Sequence, residues 1–165
     1  MKKIAIIGSG GSGKSTFSIL LGKELNLPVH HLDKLYWQPN WVRTANEEWE
    51  NILNNLCKNE QWIIDGNYKS TLDIRLKACD TVIFLDVNRF VCIYRAIKRT
   101  LISSHRPDMA KGCKERFNIE FIKFLWCYPA TIRPVILKRL NAIKEDKNVI
   151  IAKSAKQAFK MCQSH

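Results

Sequence analysis

The chain has 165 residues, of which 27 are Lys or Arg and 15 are Asp or Glu, so its formal net charge is +12. It contains no apolar run of membrane-spanning length and no cleavable signal peptide, which argues against a membrane or secreted protein and favours the cytoplasm. The length suits one hydrophobic core, so we expect a single domain over residues 1–165.

The first predicted element is an apolar strand, Ile4–Ile7, followed directly by the segment GSGGSGKST at residues 8–16. This segment matches the P-loop motif G-x-x-x-x-G-K-[ST], and a helical pattern follows it. Its glycines let successive backbone N–H groups point into one concavity that suits the phosphates of a nucleoside triphosphate. Lys14 adds a positive charge, and the Ser15 hydroxyl is placed to ligate Mg²⁺. We therefore predict that ATP and Mg²⁺ bind to Gly8, Ser9, Gly10, Gly11, Ser12, Gly13, Lys14, Ser15 and Thr16.

After the P-loop, strand patterns alternate with helix patterns along the chain. This alternation predicts an α/β fold with three layers, in which helices cover both faces of a parallel sheet. The predicted elements are strand 28–32, a helix opened by a capping box at 44–47, strand 62–64, strand 81–85, a helix capped by Asn88, a long apolar helical segment from about Arg116 interrupted by Pro129 and Pro134, strand 148–152, and a C-terminal helix capped by Ser154.

Three of these strands end in a carboxylate, and ligands of such sheets bind at the carboxyl ends of the strands. Phosphoryl transfer needs one acid near Mg²⁺, and a second one to accept a proton if the acceptor is a hydroxyl. We expect Asp65, which precedes Gly66, to lie near Mg²⁺ and Asp33 to orient or deprotonate the acceptor. Asp86 is an alternative metal-side acid, although its position beside Asn88 favours a role at the start of a helix.

Arginine side chains are suited to the charge of a transferring phosphoryl group. Arg95 and Arg99 lie one helical turn apart, just before an irregular polar stretch that contains Arg106. We predict that these three arginines act with Lys14 in catalysis and that residues of about 100–118 form a lid. The alternative for Arg95 and Arg99 is the solvated face of an amphipathic helix.

The predicted acceptor-binding segment, about 33–60, is rich in aromatic residues. These rings either stack on a base or sugar or form the core of a small subdomain. Arg43 and Arg75 follow the second and third strands, where an anionic acceptor would lie. The predicted acceptor-binding residues are Asp33, Trp37, Arg43, Asp65, Gly66, Tyr68 and Arg75.

Several segments together resemble one family over nearly the whole chain: GSGGSGKST, HHLDKLYWQPNW, WIIDGNY, TVIFLDVNRFVCIYRAIKR and RPDM. They are similar to adenylate kinase-related P-loop proteins of the DNA topology modulation (FlaR-like) family. The resemblance implies a P-loop NTPase fold with a five-stranded parallel sheet of order 2-3-1-4-5 and a nucleotide-kinase-like arrangement. It also implies that Lys153 and Ser154 form the turn that contacts the adenine.

One departure from that resemblance concerns the acceptor. Adenylate kinases follow the Asp-Gly of the third strand with Phe-Pro-Arg, whereas this chain has Asn67-Tyr68-Lys69. The arginine expected to hold an acceptor phosphate is therefore missing unless Arg75 substitutes for it. Together with Asp33, which resembles the strand-two aspartate of kinases with hydroxyl acceptors, this favours a hydroxyl-bearing acceptor.

The sequence thus predicts an ATP-dependent kinase that acts on a nucleoside, a nucleotide or another small hydroxyl-bearing metabolite. The basic excess favours polyanionic partners in general and leaves two alternatives open. One is a nucleic-acid-associated NTPase or regulator of DNA topology, although no helix-turn-helix, zinc-finger or RRM signature is present. The other is a polynucleotide 5′-hydroxyl kinase. The identity of the acceptor and the oligomeric state stay open at this point.

Overall fold

A five-stranded parallel sheet forms the centre of the molecule. The computed structural model describes residues 1–102, 110, 112–113 and 118–163. The strands are β1 (Lys3–Gly8), β2 (Val29–His31), β3 (Trp37–Gln38), β4 (Val42–Arg43), β5 (Trp62–Asp65), β6 (Thr81–Leu85) and β7 (Asn148–Ala152). The helices are α1 (Lys14–Leu25), α2 (Leu32–Tyr36), α3 (Asn46–Lys58), α4 (Leu72–Ala78), α5 (Arg89–Ile102), α6 (Ile119–Thr131), α7 (Arg133–Ile143) and α8 (Ala155–Gln163), with 3-10 turns at Pro39–Trp41 and Lys69–Thr71.

The main sheet has the strand order β2-β5-β1-β6-β7, and every neighbouring pair in it is parallel. Counted within this sheet alone, these are its second, third, first, fourth and fifth strands. The full numbering differs from the predicted 2-3-1-4-5 only because β3 and β4 come between β2 and β5. These two short strands form a separate antiparallel hairpin, which the sequence analysis did not predict. The predicted α/β fold is confirmed.

Both faces of the sheet are buried under helices, as a parallel sheet requires. In β1, Ala5 and Ile7 pack into one cluster with Trp49 of α3 and with residues of α4 and α7. Ile4 and Ile6, which point to the other face, pack with residues of α1 and α8. The P-loop therefore leaves the centre of a rigid core, which fixes the position from which α1 starts.

The predicted helix caps had different outcomes. Asn88 accepts a hydrogen bond from the backbone N–H of Phe90 at 2.9 Å, and Ser154 accepts one from that of Gln157 at 3.1 Å. The capping box at residues 44–47 is wrong, because α3 starts at Asn46 without a side-chain cap. The Thr44 hydroxyl instead donates to the carbonyl of Tyr36 at 2.6 Å, and the backbone N–H of Thr44 donates to the same carbonyl at 3.0 Å. Thr44 thus closes the base of the β3–β4 hairpin.

The long apolar segment is two helices that meet at Ile132, so the predicted interruption at Pro134 is confirmed and the one at Pro129 is wrong. Pro129 lies inside the last turn of α6, whereas Pro134 lies in the first turn of α7. Proline is tolerated in a first turn because the N–H groups there have no hydrogen-bond partner within the helix. Asn118 caps α6 by accepting from the N–H groups of Glu120 and Phe121. In the part of the chain that the structure describes, no helix combines the length and the apolar character needed to cross a membrane.

Candidate active site

The P-loop connects the end of β1 to the start of α1 and has the backbone that its glycines predict. Gly8, Gly11 and Gly13 all have positive φ, of 151°, 73° and 92°. A Cβ on Gly11 would also lie 2.4 Å from the carbonyl oxygen of Cys92 on α5, so this position has no room for a side chain. Lys14 Nζ donates to the carbonyl of Ser9 at 2.9 Å and so spans the loop. The result is a concave backbone at the positive end of a helix, which suits phosphate.

A cavity of about 810 Å³ opens beside this loop. Gly10, Gly11, Gly13, Lys14, Ser15 and Thr16 line it, whereas Gly8, Ser9 and Ser12 support the loop from behind. Arg95 and Arg99 of α5 line the same cavity, and Arg95 Nη1 lies 3.5 Å from the carbonyl oxygen of Ser12. The structure therefore brings both arginines to the P-loop. Arg106 and most of the predicted lid lie outside the described residues.

The loop geometry fits a bound nucleoside triphosphate with Mg²⁺. Positive φ at Gly11 and Gly13 turns the loop so that its backbone N–H groups can point toward a phosphate. The clash that a Cβ on Gly11 would make with Cys92 shows that α5 packs directly against the loop. Ser15 is the loop hydroxyl that would contact Mg²⁺. Within the described ranges, no three His, Cys, Asp or Glu side chains cluster to hold a metal by themselves.

Asp33 also lines the cavity, from α2. The hydroxyl of Tyr68 donates to Asp33 Oδ1 at 2.7 Å and is the only hydrogen-bond partner of this carboxylate among the described residues. Burial, and then the neighbouring Asp33 charge, raise the pKa of Tyr68 well above its ordinary value. Tyr68 therefore remains a donor at neutral pH, and it orients Asp33 while the second carboxylate oxygen faces no described partner.

The other two strand-end carboxylates are not at the cavity surface. Asp65 is buried, with Ser18 Oγ at 2.8 Å from its Oδ2 and His31 Nδ1 at 3.0 Å from its Oδ1. Ser18 Oγ is also 2.9 Å from the carbonyl oxygen of Ser15, so Asp65 lies one layer behind the start of α1. Asp65 does not line the cavity, so its predicted contact with the acceptor stays a prediction. Its role at Mg²⁺ stays a prediction.

Asp86 is buried and pairs with two cations, Arg133 and Lys153, whose side chains are at least partly exposed. Arg133 binds it with two hydrogen bonds of 2.7 and 2.9 Å, and Lys153 Nζ donates to Oδ2 at 2.6 Å. The hydrogen bond from Arg133, followed by that from Lys153, holds the pKa of Asp86 below its usual value despite burial. Asp86 thus pairs with Arg133 and Lys153, and Asn88 accepts from the N–H of Phe90 at the start of α5. A role of Asp86 at the metal stays a prediction. Lys153 and Ser154 do not line the cavity, so their predicted contact with the adenine stays a prediction.

Arg75 corrects a prediction about the acceptor. Its side chain is 0% exposed, and its Nη1 and Nη2 donate to the carbonyls of Gly66 and Tyr68, both at 2.9 Å. Burial lowers the pKa of Arg75 to about 10, which still leaves it charged at neutral pH. Arg75 therefore shapes the loop after β5 and cannot contact an acceptor. It does not replace the arginine that the resemblance would place after Asp65-Gly66.

The β3–β4 hairpin supplies the remaining wall. Trp37, Trp41 and Arg43 line the cavity, with the two indole centroids 5.4 Å apart and the guanidinium of Arg43 6.0 Å from the ring of Trp37. Asn40 and Trp41 both have positive φ, 61° and 62°, which is uncommon for asparagine and rare for a bulky side chain. This strained turn gives the segment its sharp reversal.

The tip of this hairpin meets the described part of the 110–113 segment. The backbone N–H of Asn40 lies 3.4 Å from the carbonyl oxygen of Gly112, and Cys113 Sγ lies 3.3 Å from that of Gln38. Ala110 lines the cavity. The structure thus brings the predicted acceptor-binding segment and the end of the predicted lid into contact.

Sequence reasoning missed one wall of the cavity, which α6 provides. Asn118, Phe121 and Phe124 line it, and Phe121 lies so close to the P-loop that a Cβ on Gly10 would be 2.5 Å from its Cζ. Nothing in the apolar pattern after residue 118 separates rings that line a cavity from rings that form a core. Ile19 and Asn67 are further lining residues that were not predicted, whereas Trp41 belongs to the predicted acceptor-binding segment and Ala110 to the predicted lid.

Three solved structures with a similar fold are kinases. The chain superposes on a shikimate kinase from Bacteroides thetaiotaomicron with a TM-score of 0.56 and 17% identity, covering 98% of this chain and 96% of that one. It is similar to a shikimate kinase from Aquifex aeolicus (TM-score 0.55, 16% identity, 98% and 94% covered) and to a sugar kinase from Janibacter (TM-score 0.57, 13% identity, 99% and 93% covered).

No protein-family model matches the sequence, and no curated protein is significantly similar to it. At identities of 13–17%, the similarity supports a shared fold and does not identify the reaction. The resemblance to FlaR-like proteins accordingly stays a prediction, and the structural comparison establishes that the chain has the fold of the P-loop kinases.

Proposed function

We propose that the protein transfers the γ-phosphoryl group of Mg-ATP to a hydroxyl of a small acceptor. One observation carries this proposal: the cavity beside the P-loop extends to Asp33 and the hairpin instead of ending at the phosphate site. An enzyme that only hydrolysed ATP would need a water molecule there and no second compartment. The names of the structural neighbours, shikimate kinase and sugar kinase, support a phosphotransferase.

At the donor end, the chain's own groups bind and neutralise phosphate charge. Mg-ATP, when bound, supplies the phosphoryl group and an ion that offsets its charge. The backbone N–H groups of the P-loop and Lys14 hold the phosphates, while Ser15 offers its hydroxyl to the ion. Arg95 and Arg99 approach from α5 and stabilise the charge that spreads over the transferring group.

At the acceptor end, Asp33 receives the proton. The acceptor oxygen forms a bond to phosphorus as the bond between that phosphorus and the leaving ADP oxygen breaks, and the hydroxyl proton passes to the free oxygen of Asp33. Tyr68 keeps its hydrogen bond to Oδ1 throughout, so the carboxylate cannot turn away. Asp33 therefore both orients the hydroxyl and increases its nucleophilicity.

The test is Asp33→Asn in an ADP-release assay over a panel of alcohols. We expect acceptor-dependent kcat to fall by about 10²- to 10⁴-fold, as for loss of a general base, with unchanged ATP affinity. Asp73→Asn is the matched control, since Asp73 is a surface residue paired with Arg139 at 3.3 Å. Full phosphoryl transfer by Asp33→Asn would show that Asp33 is not the base. ATP turnover that no alcohol stimulates would contradict the kinase function itself.

The net charge of +12 is the observation that favours a nucleic-acid partner as second candidate. A nucleic-acid-associated NTPase would bind DNA with an affinity that falls steeply as salt rises. A polynucleotide kinase would phosphorylate a 5′-hydroxyl oligonucleotide in the same ADP-release assay. Tight, salt-dependent DNA binding without turnover of any small alcohol would replace the small-molecule kinase by the regulator that the FlaR-like resemblance implies.

A further inference from the structure

Aromatic rings form the walls of the acceptor end of the cavity. Trp37 and Trp41 come from the β3–β4 hairpin, and Tyr68 comes from the loop after β5. The two indoles are held edge to face at 74°, and Tyr36 packs behind them with its centroid 5.0 Å from Trp37 and 4.6 Å from Tyr68. The rings that line this end therefore rest on a further aromatic layer, which keeps them in place.

Polar groups at this end are few among the described residues. Asp33 has one oxygen engaged by Tyr68, Arg43 is the hairpin's cation, and Asn67 adds an amide. Arg75 is buried, and its Nη1 and Nη2 donate to the backbone carbonyls of Gly66 and Tyr68. A polyol acid needs several directed hydrogen bonds and a paired cation for its carboxylate, and a phosphorylated acceptor needs more. The described walls offer instead one hydroxyl-binding carboxylate and a large ring-binding surface.

The backbone of the hairpin is strained at the turn that carries Trp41. Asn40 and Trp41 are consecutive residues at positive φ, a conformation that costs free energy and persists only where surrounding contacts enforce it. Two such contacts occur at the hairpin: at the base, the Thr44 hydroxyl donates to the carbonyl of Tyr36, and at the tip, the backbone N–H of Asn40 donates to the carbonyl of Gly112. The strain places the ring of Trp41 in the cavity wall against Trp37.

We propose that the acceptor is an unphosphorylated alcohol carried by a flat aromatic or heteroaromatic ring, of the chemical class to which nucleosides belong. The ring stacks in the space walled by Trp37, Trp41 and Tyr68, and the hydroxyl reaches Asp33. The guanidinium of Arg43 lies at the same wall and interacts with ring carbonyls or nitrogens. This inference rests on the proposed function and names its substrate class.

The experiment measures ADP release with three sets of alcohols at equal concentration. The first set is ring-bearing: adenosine, cytidine, uridine, guanosine, thymidine and pyridoxine. The second is ring-free or alicyclic: glucose, gluconate and shikimate. The third contains the nucleoside 5′-monophosphates. We expect at least one member of the first set to accelerate ADP release by tenfold or more, and the other two sets to stay near the basal rate.

Two variants test whether the indoles hold the ring. Trp37→Leu is expected to raise KM for the stimulating acceptor by about tenfold, with KM for ATP within about twofold of wild type. Trp126→Leu is the matched control, because Trp126 lies on α6 and does not line the cavity. Trp41→Gly removes the ring and relieves the positive φ at once, so we expect KM to rise without loss of stability. This second variant keeps the test valid if Trp37→Leu folds poorly.

Each contrary outcome has a distinct meaning. Stimulation by a polyol or a monophosphate, but by no ring-bearing alcohol, overturns the inference and leaves the kinase function in place. Stimulation by a ring-bearing alcohol with KM unchanged in Trp37→Leu and Trp41→Gly also overturns it, because the ring then binds elsewhere. ATP binding without stimulation by any alcohol overturns both the inference and the proposed function.

Discussion

The two ends of the cavity are built by different means. The donor end comes from one continuous segment, residues 8–16, and holds its shape through backbone conformation and a lysine that closes on its own loop. The acceptor end comes from α2, the β3–β4 hairpin, the loop after β5 and α6, and holds its shape through side-chain contacts between them. Phosphate can be bound by backbone N–H groups, which are present in every sequence that can adopt the turn. A particular acceptor needs particular side chains, and distant segments must bring these together.

Among the variants that complement Asp33→Asn, the largest effect is expected at the donor end, from Lys14→Ala. Loss of a charge aimed at the transferring phosphoryl should lower kcat by about 10²- to 10³-fold and weaken ATP binding, measured by ADP release and by titration with ATP. Lys23→Ala is the matched control, since Lys23 lies in the last turn of the same helix, away from the cavity. Unchanged ATP binding in Lys14→Ala would mean that the loop is not a nucleotide site.

At the acceptor end, the largest loss of stability is expected from Arg75→Met, because Arg75 holds the loop after β5 from inside the protein. Two buried carbonyls, of Gly66 and Tyr68, lose their donors, which should lower the free energy of unfolding by about 3 kcal/mol in urea titrations. Arg139→Met, at a partly exposed ion pair with Asp73, should cost less than about 1 kcal/mol. If Arg75→Met kept wild-type stability but lost acceptor binding, the assignment of Arg75 to loop support would be incorrect.

Substitutions at two neighbouring glycines, Gly10 and Gly11, test whether backbone conformation shapes the donor end. Gly11→Ala places a Cβ at positive φ against the backbone of Cys92, so we expect a loss of about 2 kcal/mol or more in stability and a loss of ATP binding. In Gly10→Ala the Cβ would meet Phe121 Cζ at 2.5 Å and Leu125 Cδ2 at 3.0 Å, which are side-chain ends that can shift and not backbone. Its smaller effect should be relieved in the double variant Gly10→Ala/Phe121→Leu. Equal damage from both glycines would contradict a loop shaped by backbone conformation.

The smallest effect is expected away from both ends, at Asp86. Because Arg133 and Lys153 lower its pKa in the folded protein, the unfolded chain takes up its proton first as the pH falls, and folding loses this contribution below the usual aspartate pKa of about 4. Asp86→Asn should thus cost about 1 kcal/mol at pH 7, with a difference from wild type that shrinks as the pH falls toward 2. A difference that stays constant with pH would show that the carboxylate charge is not what these contacts use.

Much of the donor end could be predicted before the structure. Local sequence patterns predict the order of the P-loop, the strands and the helices. Gly11 and Gly13 predict a backbone with positive φ, which residues other than glycine rarely adopt. Arg95 and Arg99 were predicted to act together from their shared helix face, and both line the cavity beside the P-loop. The capping box at 44–47 failed because a tertiary partner, the carbonyl of Tyr36, competed successfully for the Thr44 hydroxyl.

By itself, the sequence determined a P-loop, a parallel α/β sheet and the residue types available for phosphoryl transfer. These depend on short-range steric rules and on hydrophobic periodicity, which act between near neighbours in the chain. Only the tertiary structure decided which polar groups are free to act. It engaged Asp65, Asp86 and Arg75 inside the protein and left Asp33 at the cavity. It also brought the rings of the hairpin and of α6 to that cavity, because burial and hydrogen-bond satisfaction are settled by partners far apart in sequence.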